Sequence, residues 1–423
     1  MNRTLTAERT ETLVGPVSAV GPAGVARLLD GPPDLSSHVA RLGRLPDRGA
    51  QLIDLAQAAG LTGRGGAGFP TARKLSAVAA GAGPRVVVAN GTEGEPLSAK
   101  DKTLLVRSPH LVLDGIDAAA RAVRANRRIL CIERGNPAVH EAVRIALAER
   151  NDRRLEVVLA PRRYISGQEA ALVDLLNGGP GRPTLDRPFE TGVSRRPTLV
   201  DNVETLAHLA LVARFGPDWY RSVGTPADPG TTLLTLGGAV KTPGIYEVPH
   251  GISLRAVLAH AGVGPTRAVL VGGYFGRWLP ARIAESLTIS RQSLGAHDAG
   301  LGCGVIAVID DDCCAVAELA RVAEWYAQSS AGQCGACTWG LRDLAAATGA
   351  IHQGSPDPRA PADVRRWTAM VRGRGACRLP DGAAAFLESG IDVFAEEIAQ
   401  HQAGLCTRPD RHLLPTPTPQ PWP

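Results

Sequence analysis

Apolar positions along this chain repeat with three successive rhythms. Residues 51–59 carry apolar side chains at helical spacing, and 72–78 read as the start of a second helix. Residues 85–90, Arg-Val-Val-Val-Ala-Asn, form a β-branched run typical of a buried strand. That run ends in a polar loop, Asn90-Gly91-Thr92-Glu93-Gly94-Glu95-Pro96. Helical spacing returns at 110–123 and 137–149, and strand-like runs stand at 128–132 and 155–159. Strands alternating with helices predict a parallel α/β sheet, with its ligand crevice at the carboxyl ends of the strands. The 90–96 loop lies at such an end.

A second rhythm begins after the Gly/Pro-rich stretch 224–230. Strand-like runs at 231–236, 240–248, 268–271 and 304–309, with one short helix at 253–261, predict a small β-rich unit. From 313 to about 404 the spacing is helical throughout. Val316, Leu319, Val322, Ala323 and Tyr326 share one face, as do Val364, Trp367, Met370 and Val371. This predicts a helical bundle. Residues 1–45 show little periodicity and predict a partly ordered arm. The proline-rich end, 414–419, is expected to be a tail without a core. The resulting division is an arm at 1–48, an α/β domain at 49–225, a β-rich domain at 226–311, a helical domain at 312–408 and a tail at 409–423.

Composition narrows the possibilities without choosing one. A length of 423 residues suits about two to three domains. The formal charge of +5 is small and dispersed, which argues against nucleic acid as a partner. No run of about 18 apolar residues exists to cross a membrane. The opening, Met1-Asn2-Arg3-Thr4-Leu5, lacks the apolar stretch of a secretory leader. The eight cysteines cluster toward the C-terminus, which favours metal or iron–sulfur ligation over a disulfide framework.

The densest chemistry is Gly63-Arg64-Gly65-Gly66-Ala67-Gly68-Phe69-Pro70-Thr71. Glycines allow backbone N–H groups to close around an anion, and the helix that follows offers its N-terminus to a phosphate. A glycine-rich surface turn is the competing reading. Cys334-Gly335-Ala336-Cys337 brings two thiols within reach of one metal centre, and Cys377 and Cys406 follow at distance. A cubane cluster usually takes four thiolates, and zinc is the alternative. Cys131, Cys313 and Cys314 read as packed apolar side chains.

These motifs stand in one order with Lys100-Asp101, with Tyr164-Ile165-Ser166-Gly167-Gln168-Glu169, with Asn202-Val203-Glu204-Thr205, and with Pro243-Gly244-Ile245-Tyr246-Glu247. The chain in this respect resembles the flavin-carrying, NADH-oxidising subunit of respiratory complex I and the related diaphorase subunits of NAD-linked hydrogenases and formate dehydrogenases. The resemblance covers about residues 50 to 400. It implies an α/β architecture: a Rossmann-like domain for FMN and NAD(H), then a β-grasp domain, then a helical bundle carrying a [4Fe–4S] cluster. The implied reaction is hydride transfer from NAD(P)H to FMN, followed by single-electron transfer to a small ferredoxin-like or [2Fe–2S] partner and, through it, to a membrane reductase. Transfer in the reverse direction and a non-catalytic scaffold role are the alternatives. Cytoplasm is the expected compartment.

The resemblance also implies residue roles. Gly63, Gly65, Gly66, Ala67 and Gly68 wrap the flavin phosphate, with Arg64 as charge partner and Lys74 beside them. Phe69 stacks on adenine. Asn90, Glu93, Asn202 and Thr205 contact flavin, and Glu95 lies near the nicotinamide, so that Glu95 and Glu93 form the catalytic pair. Tyr164, Gln168 and Glu169 face the nucleotide. Several positions depart from the family pattern. Thr92 stands where Asp is usual, Ala77 replaces a second aromatic, and Asp201-Asn202 replaces paired Asn. Gln168 replaces a Glu, which lowers repulsion toward an added phosphate and implies tolerance of NADPH. The family's CxxCxxC has Gly340 at its third position. Cys406 is therefore expected to complete the ligand set Cys334, Cys337, Cys377 and Cys406, with His401 a more distant candidate.

Overall fold

The computed structural model describes residues 17–21, 26–355 and 357–422, so the opening pentapeptide lies outside the described residues. The strands are β1 (Val17–Ala19), β2 (Arg85–Gly91), β3 (Ala125–Glu133), β4 (Leu155–Ala160), β5 (Thr198–Asn202), β6 (Thr231–Gly238), β7 (Gly244–Pro249), β8 (Ala268–Val271), β9 (Arg277–Pro280) and β10 (Val305–Ile309). They make two sheets, ordered β4-β3-β2-β5 and β1-β7-β6-β10-β8-β9.

The first sheet is wholly parallel. Its central strand shows why. In β2 alternate side chains point to opposite faces, and both faces are covered. Val87 and Ala89 pack on the side of helices Pro109–Val123 and Val203–Arg221. Val86 and Val88 meet Leu172 and Val173 of helix Glu169–Leu176. Register pairs Asn90 with Asn202, so two polar residues 112 positions apart end adjacent strands side by side. The spacing of apolar residues does not reveal β5, because its last two residues are polar.

The second sheet divides its faces in the same way. Leu234, Leu236, Val269, Val271, Ile306 and Val308 pack under helix Leu254–His260. Leu270, Val305, Ala307 and Ile309 turn instead to the bundle, formed by helices Ala315–Gln328, Leu341–His352, Ala360–Val371, Leu379–Val393 and Ala395–Gln402.

Both ends of the described chain are more integrated than their sequence predicts. The arm supplies β1, parallel to β7. The amides of Arg27 and Leu28 donate to the buried carboxylate of Glu247 at 3.0 Å. The proline-rich tail also packs. Leu414 is fully buried, Tyr274 Oη donates to Pro415 O at 2.6 Å, and Trp325 Nε1 donates to Pro417 O at 2.9 Å. Prolines lack an N–H but keep a carbonyl, and buried Tyr and Trp need an acceptor. That exchange holds a segment that has no core of its own. No helix is long and apolar enough to cross a membrane among the described residues.

Candidate functional site

The glycine loop is closed at its neck and open at its tip. Gly63 N–H donates to Phe69 O at 2.8 Å, and Thr71 N–H to Leu61 O at 3.0 Å. Arg64 N–H donates to Thr205 Oγ1 at 2.8 Å. Among the described residues the amides of Gly65, Gly66, Ala67 and Gly68 have no comparable anchor. Gly66 (φ +115°) and Gly68 (φ +60°) take left-handed backbone, which glycine adopts without strain. A side chain at Gly65 would lie 3.4 Å from Asn202 Cβ, one at Gly66 would face Gly302 and Cys303, and one at Gly68 would meet nothing. This loop is a candidate anion cradle, lying beside Asn202 at the end of β5.

Two predicted contacts are corrected here. Arg64 is only 8 % exposed and points inward. Its Nη2 donates to Tyr220 Oη at 2.9 Å and to Thr231 O at 3.2 Å, and its Nε lies 3.9 Å from Glu204. It anchors the loop and does not reach toward a phosphate. Thr205 is fully buried beneath the loop, holding the Arg64 amide, and offers no surface to a flavin.

Phe69 is 41 % exposed, with the Arg73 guanidinium 5.2 Å from its ring centre. Helix Thr71–Ala80 starts directly after it. Lys74, in that helix's first turn, pairs with Glu169 and donates to Val200 O at 3.0 Å. Burial opposes its charge, but Asp201 and Glu169 outweigh that and raise its pKa. Gln168 caps helix Glu169–Leu176 through Oε1, which accepts from Ala171 N at 2.8 Å.

At the end of β2, Asn90 Nδ2 donates to Gly167 O at 2.8 Å, and its Oδ1 accepts from the Thr92 hydroxyl at 2.6 Å. Gly94 lets the loop lie against residues 163–164, because a Cβ there would lie 2.3 Å from Tyr164 O. Glu93 is spent on its own chain. It accepts from Ser98 Oγ at 2.5 Å, Asp101 N at 3.1 Å and Lys102 N at 3.2 Å, capping helix Lys100–Arg107. These three bonds tie Glu93 to the start of that helix.

Glu95 joins three parts of the molecule. It accepts from Tyr164 Oη at 3.1 Å, from Tyr274 N at 3.0 Å and from Leu97 N at 3.3 Å. Burial pushes its pKa up to about 7 against the pull of these donors. The Tyr164 ring is enclosed by Phe275 at 4.9 Å and Trp325 at 5.0 Å. Behind the site, fully buried Lys100 sits 2.7 Å from Asp101 and 2.9 Å from Glu204, and Asp101 accepts from Asn202 Nδ2 at 2.7 Å. Burial opposes the Lys100 charge, but these carboxylates hold its pKa well above the ordinary range. Cys303 borders this site, facing the glycine loop at Gly66. Burial pushes its pKa well up, and Glu95 adds to the shift. Its one sequence signal is Gly302-Cys303-Gly304, a backbone that bends back toward the loop.

In the bundle, Cys337 is buried on the turn Ala336–Gly340, and its amide donates to Cys334 O at 3.1 Å. Burial pushes its thiol up to about 12, with Cys334 and Cys377 adding to the shift. Cys406 is not among them. Its sulfur groups with Cys314, Glu397 and His401, whose ligand atoms all lie within 4.8 Å of one another. His401 Nδ1 faces His352 O at 3.0 Å, at the C-terminal end of helix Leu341–His352. Cys337 stands ahead of that helix's N-terminal end, roughly 20 Å away at ~1.5 Å per residue. A cubane cannot span that gap, so Cys406 and His401 are both excluded as its ligands. At Gly340, a Cβ would meet Val371 Cγ1 at 2.2 Å, so the third position of the family motif is closed by packing.

Comparison with known proteins fits this layout. Residues 56–211 match the Nuo51 FMN-binding domain, and 317–401 match the NADH-ubiquinone oxidoreductase-F iron–sulfur binding region. The NADH-quinone oxidoreductase F subunit of Streptomyces coelicolor is 34 % identical over 384 residues, covering 84 % of this chain and 83 % of the relative. The chain belongs to the family of NADH-quinone oxidoreductase F subunits. A further relative is the NADP-reducing hydrogenase subunit HndC of Solidesulfovibrio fructosivorans, 30 % identical, covering 83 % of this chain and 76 % of the relative. An NAD+-reducing [NiFe]-hydrogenase crystal structure superposes with a TM-score of 0.81 at 30 % identity, covering 93 % of this chain and 69 % of that one. As a member of the NADH-quinone oxidoreductase F family, the chain is an oxidoreductase with an FMN-binding domain and a 4Fe–4S-binding region. The cradle fits the first cofactor: amides without a backbone partner among the described residues, left-handed glycines and open space at Gly68. Cys334, Cys337 and Cys377 offer three of the four thiols usual for the second.

Proposed function

We propose that this chain oxidises NAD(P)H at an FMN held by the glycine cradle and passes electrons through a [4Fe–4S] cluster to a small iron–sulfur partner. When bound, FMN takes two electrons as a hydride and releases them singly. The supporting observation is the cradle itself, whose tip carries four amides without a backbone partner among the described residues and lies beside Asn202 at the end of β5. Gly65, Gly66, Ala67 and Gly68 would bind the phosphate, and the N-terminus of helix Thr71–Ala80 would add its dipole. Asn90 and Asn202 would border the flavin ring. Phe69 would stack on the adenine. Glu95 and Tyr164 would border the nicotinamide, with Glu169 and Lys74 at the nucleotide's edge. Gln168 would leave room for the extra phosphate of NADPH.

Cys334, Cys337 and Cys377 would hold the cluster, leaving one iron to a ligand other than cysteine. We read residues 49–225 as the FMN and NAD(H) unit, 226–311 as a β-grasp unit and 312–408 as the cluster unit, flanked by the arm and the tail. The partner would be a ferredoxin or a [2Fe–2S] protein, with the cytoplasm as the compartment.

The test is a visible spectrum of the purified chain with and without NADH under anaerobic conditions. A flavin band with an iron–sulfur shoulder, bleached by NADH, is the expected result. A colourless protein that stays colourless after reconstitution with FMN and iron would refute the proposal.

A further inference from the structure

At the far end of helix Leu341–His352 from the cluster thiols, four donors converge that the electron-transfer reading does not use. We propose that Cys314, Glu397, His401 and Cys406 bind one Zn2+ ion as a closed structural site. Their ligand atoms all lie within 4.8 Å of one another, and Cys314 Sγ is 3.2 Å from His401 Nε2. Around a tetrahedral zinc, with Zn–S ≈ 2.3 Å and Zn–N ≈ 2.0 Å, neighbouring donors stand roughly 3.3–3.8 Å apart. A small contraction of the group reaches that geometry.

The surroundings orient each ligand. His401 Nδ1 faces the His352 carbonyl at 3.0 Å. A carbonyl can only accept, so Nδ1 carries the proton and Nε2 presents its lone pair to the site. Metal-binding histidines are usually oriented by such a partner. Cys314 caps helix Ala315–Gln328, its Sγ accepting from Ala317 N at 3.3 Å. Glu397 is steadied by Ala315 N at 2.9 Å and by Arg267, and a carboxylate has lone pairs to spare beyond those two bonds. Two thiolates and one carboxylate are balanced by the metal and Arg267 together.

Two sulfurs, one imidazole and one carboxylate in a tetrahedral set select zinc over the harder divalent ions. All four positions are filled by protein, which marks a structural site and not a catalytic one. The metal would fasten the start of helix Ala315–Gln328 to helix Ala395–Gln402 and to the segment leaving it. That segment leads into the tail whose carbonyls bind Tyr274 and Trp325.

The test is elemental analysis of the full-length holoprotein expressed with zinc supplied. About one zinc per chain is expected in addition to the cluster iron. Cys406→Ser and His401→Ala each reduce zinc to background while iron and flavin content stay unchanged. Cys334→Ser reduces iron and leaves zinc in place. Zinc X-ray absorption of the native protein shows two sulfur neighbours. Should Cys406→Ser precipitate, chelator competition on the native chain decides: saturable one-to-one zinc release with a lowered melting temperature supports the site. The proposal is overturned by a native chain without stoichiometric zinc, by zinc that disappears with Cys334 but not with Cys406, or by intact mass showing a Cys314–Cys406 disulfide in its place.

Discussion

At the carboxyl ends of β2 and β5, most of the predicted site residues are bound to one another or to immediate neighbours. Asn202 reaches Asp101, Lys74 reaches Glu169, Tyr164 reaches Glu95, and Arg64 reaches Thr205. In the bundle the predicted set breaks in two, with Cys334, Cys337 and Cys377 at one end of a helix and Cys406 at the other. The two regions therefore locate their chemistry differently. At a sheet edge, register brings residues together whatever their distance in sequence. In a bundle, a helix of 12 residues carries its two ends apart, and cysteine spacing gives no sense of which end a thiol reaches.

The largest effect is expected at the thiols. Cys337→Ser is expected to lose nearly all cluster iron, measured per flavin, while flavin binding is retained. Retention of iron there would remove the contrast between the two ends. Next, Glu95→Gln takes a charge from a three-donor site, where such bonds are worth ~1.5–3 kcal/mol each. About a tenfold to hundredfold fall in kcat/KM for NADH is expected, with flavin content unchanged; steady-state kinetics on reconstituted protein measure it. Gly340→Ala drives a methyl into Val371 and is expected to lower stability by ~1–3 kcal/mol, as overpacked cores do. Adding Val371→Ala should restore most of that loss in chemical denaturation. If it does not, the packing explanation for the missing third cysteine is wrong.

Smaller effects separate the site from its frame. Gln168→Glu is expected to reduce the ratio of NADPH to NADH kcat/KM several-fold, by like-charge repulsion. An unchanged ratio would leave Gln168 with only its capping role. Glu247, held by the arm, shares with Glu95 a pKa raised by burial to about 7. A carboxyl raised above its unfolded value favours folding most below about 4.5 and loses that contribution as pH rises through about 7. The melting temperature of Glu247→Gln relative to the native chain is thus expected to climb between pH 5 and 8. A flat difference would place the Glu247 pKa in the ordinary range.

Much of the fold is legible in the chain because its signals are local. The Val86-Val87-Val88 run and the helices flanking it depend on neighbours within a few residues. The short β9 and the added β1 were not legible, since a strand of three or four residues is defined by its pairing partner. The open tip of the glycine loop follows from its glycines. The inward turn of Arg64 does not, because Tyr220, its acceptor, lies 156 positions away. Glu93 and Glu95 look alike in sequence. Only the first has Ser98, Asp101 and Lys102 placed to consume it.

Tyr274 gives its amide to Glu95, its hydroxyl to the tail, and its carbonyl to the hydroxyl of Tyr326. A residue read by three partners at once has little freedom to drift over evolutionary time. Among relatives we expect positions 95, 164, 274 and 326 to change in concert or not at all, so their joint history would record this junction more sharply than any one of them alone.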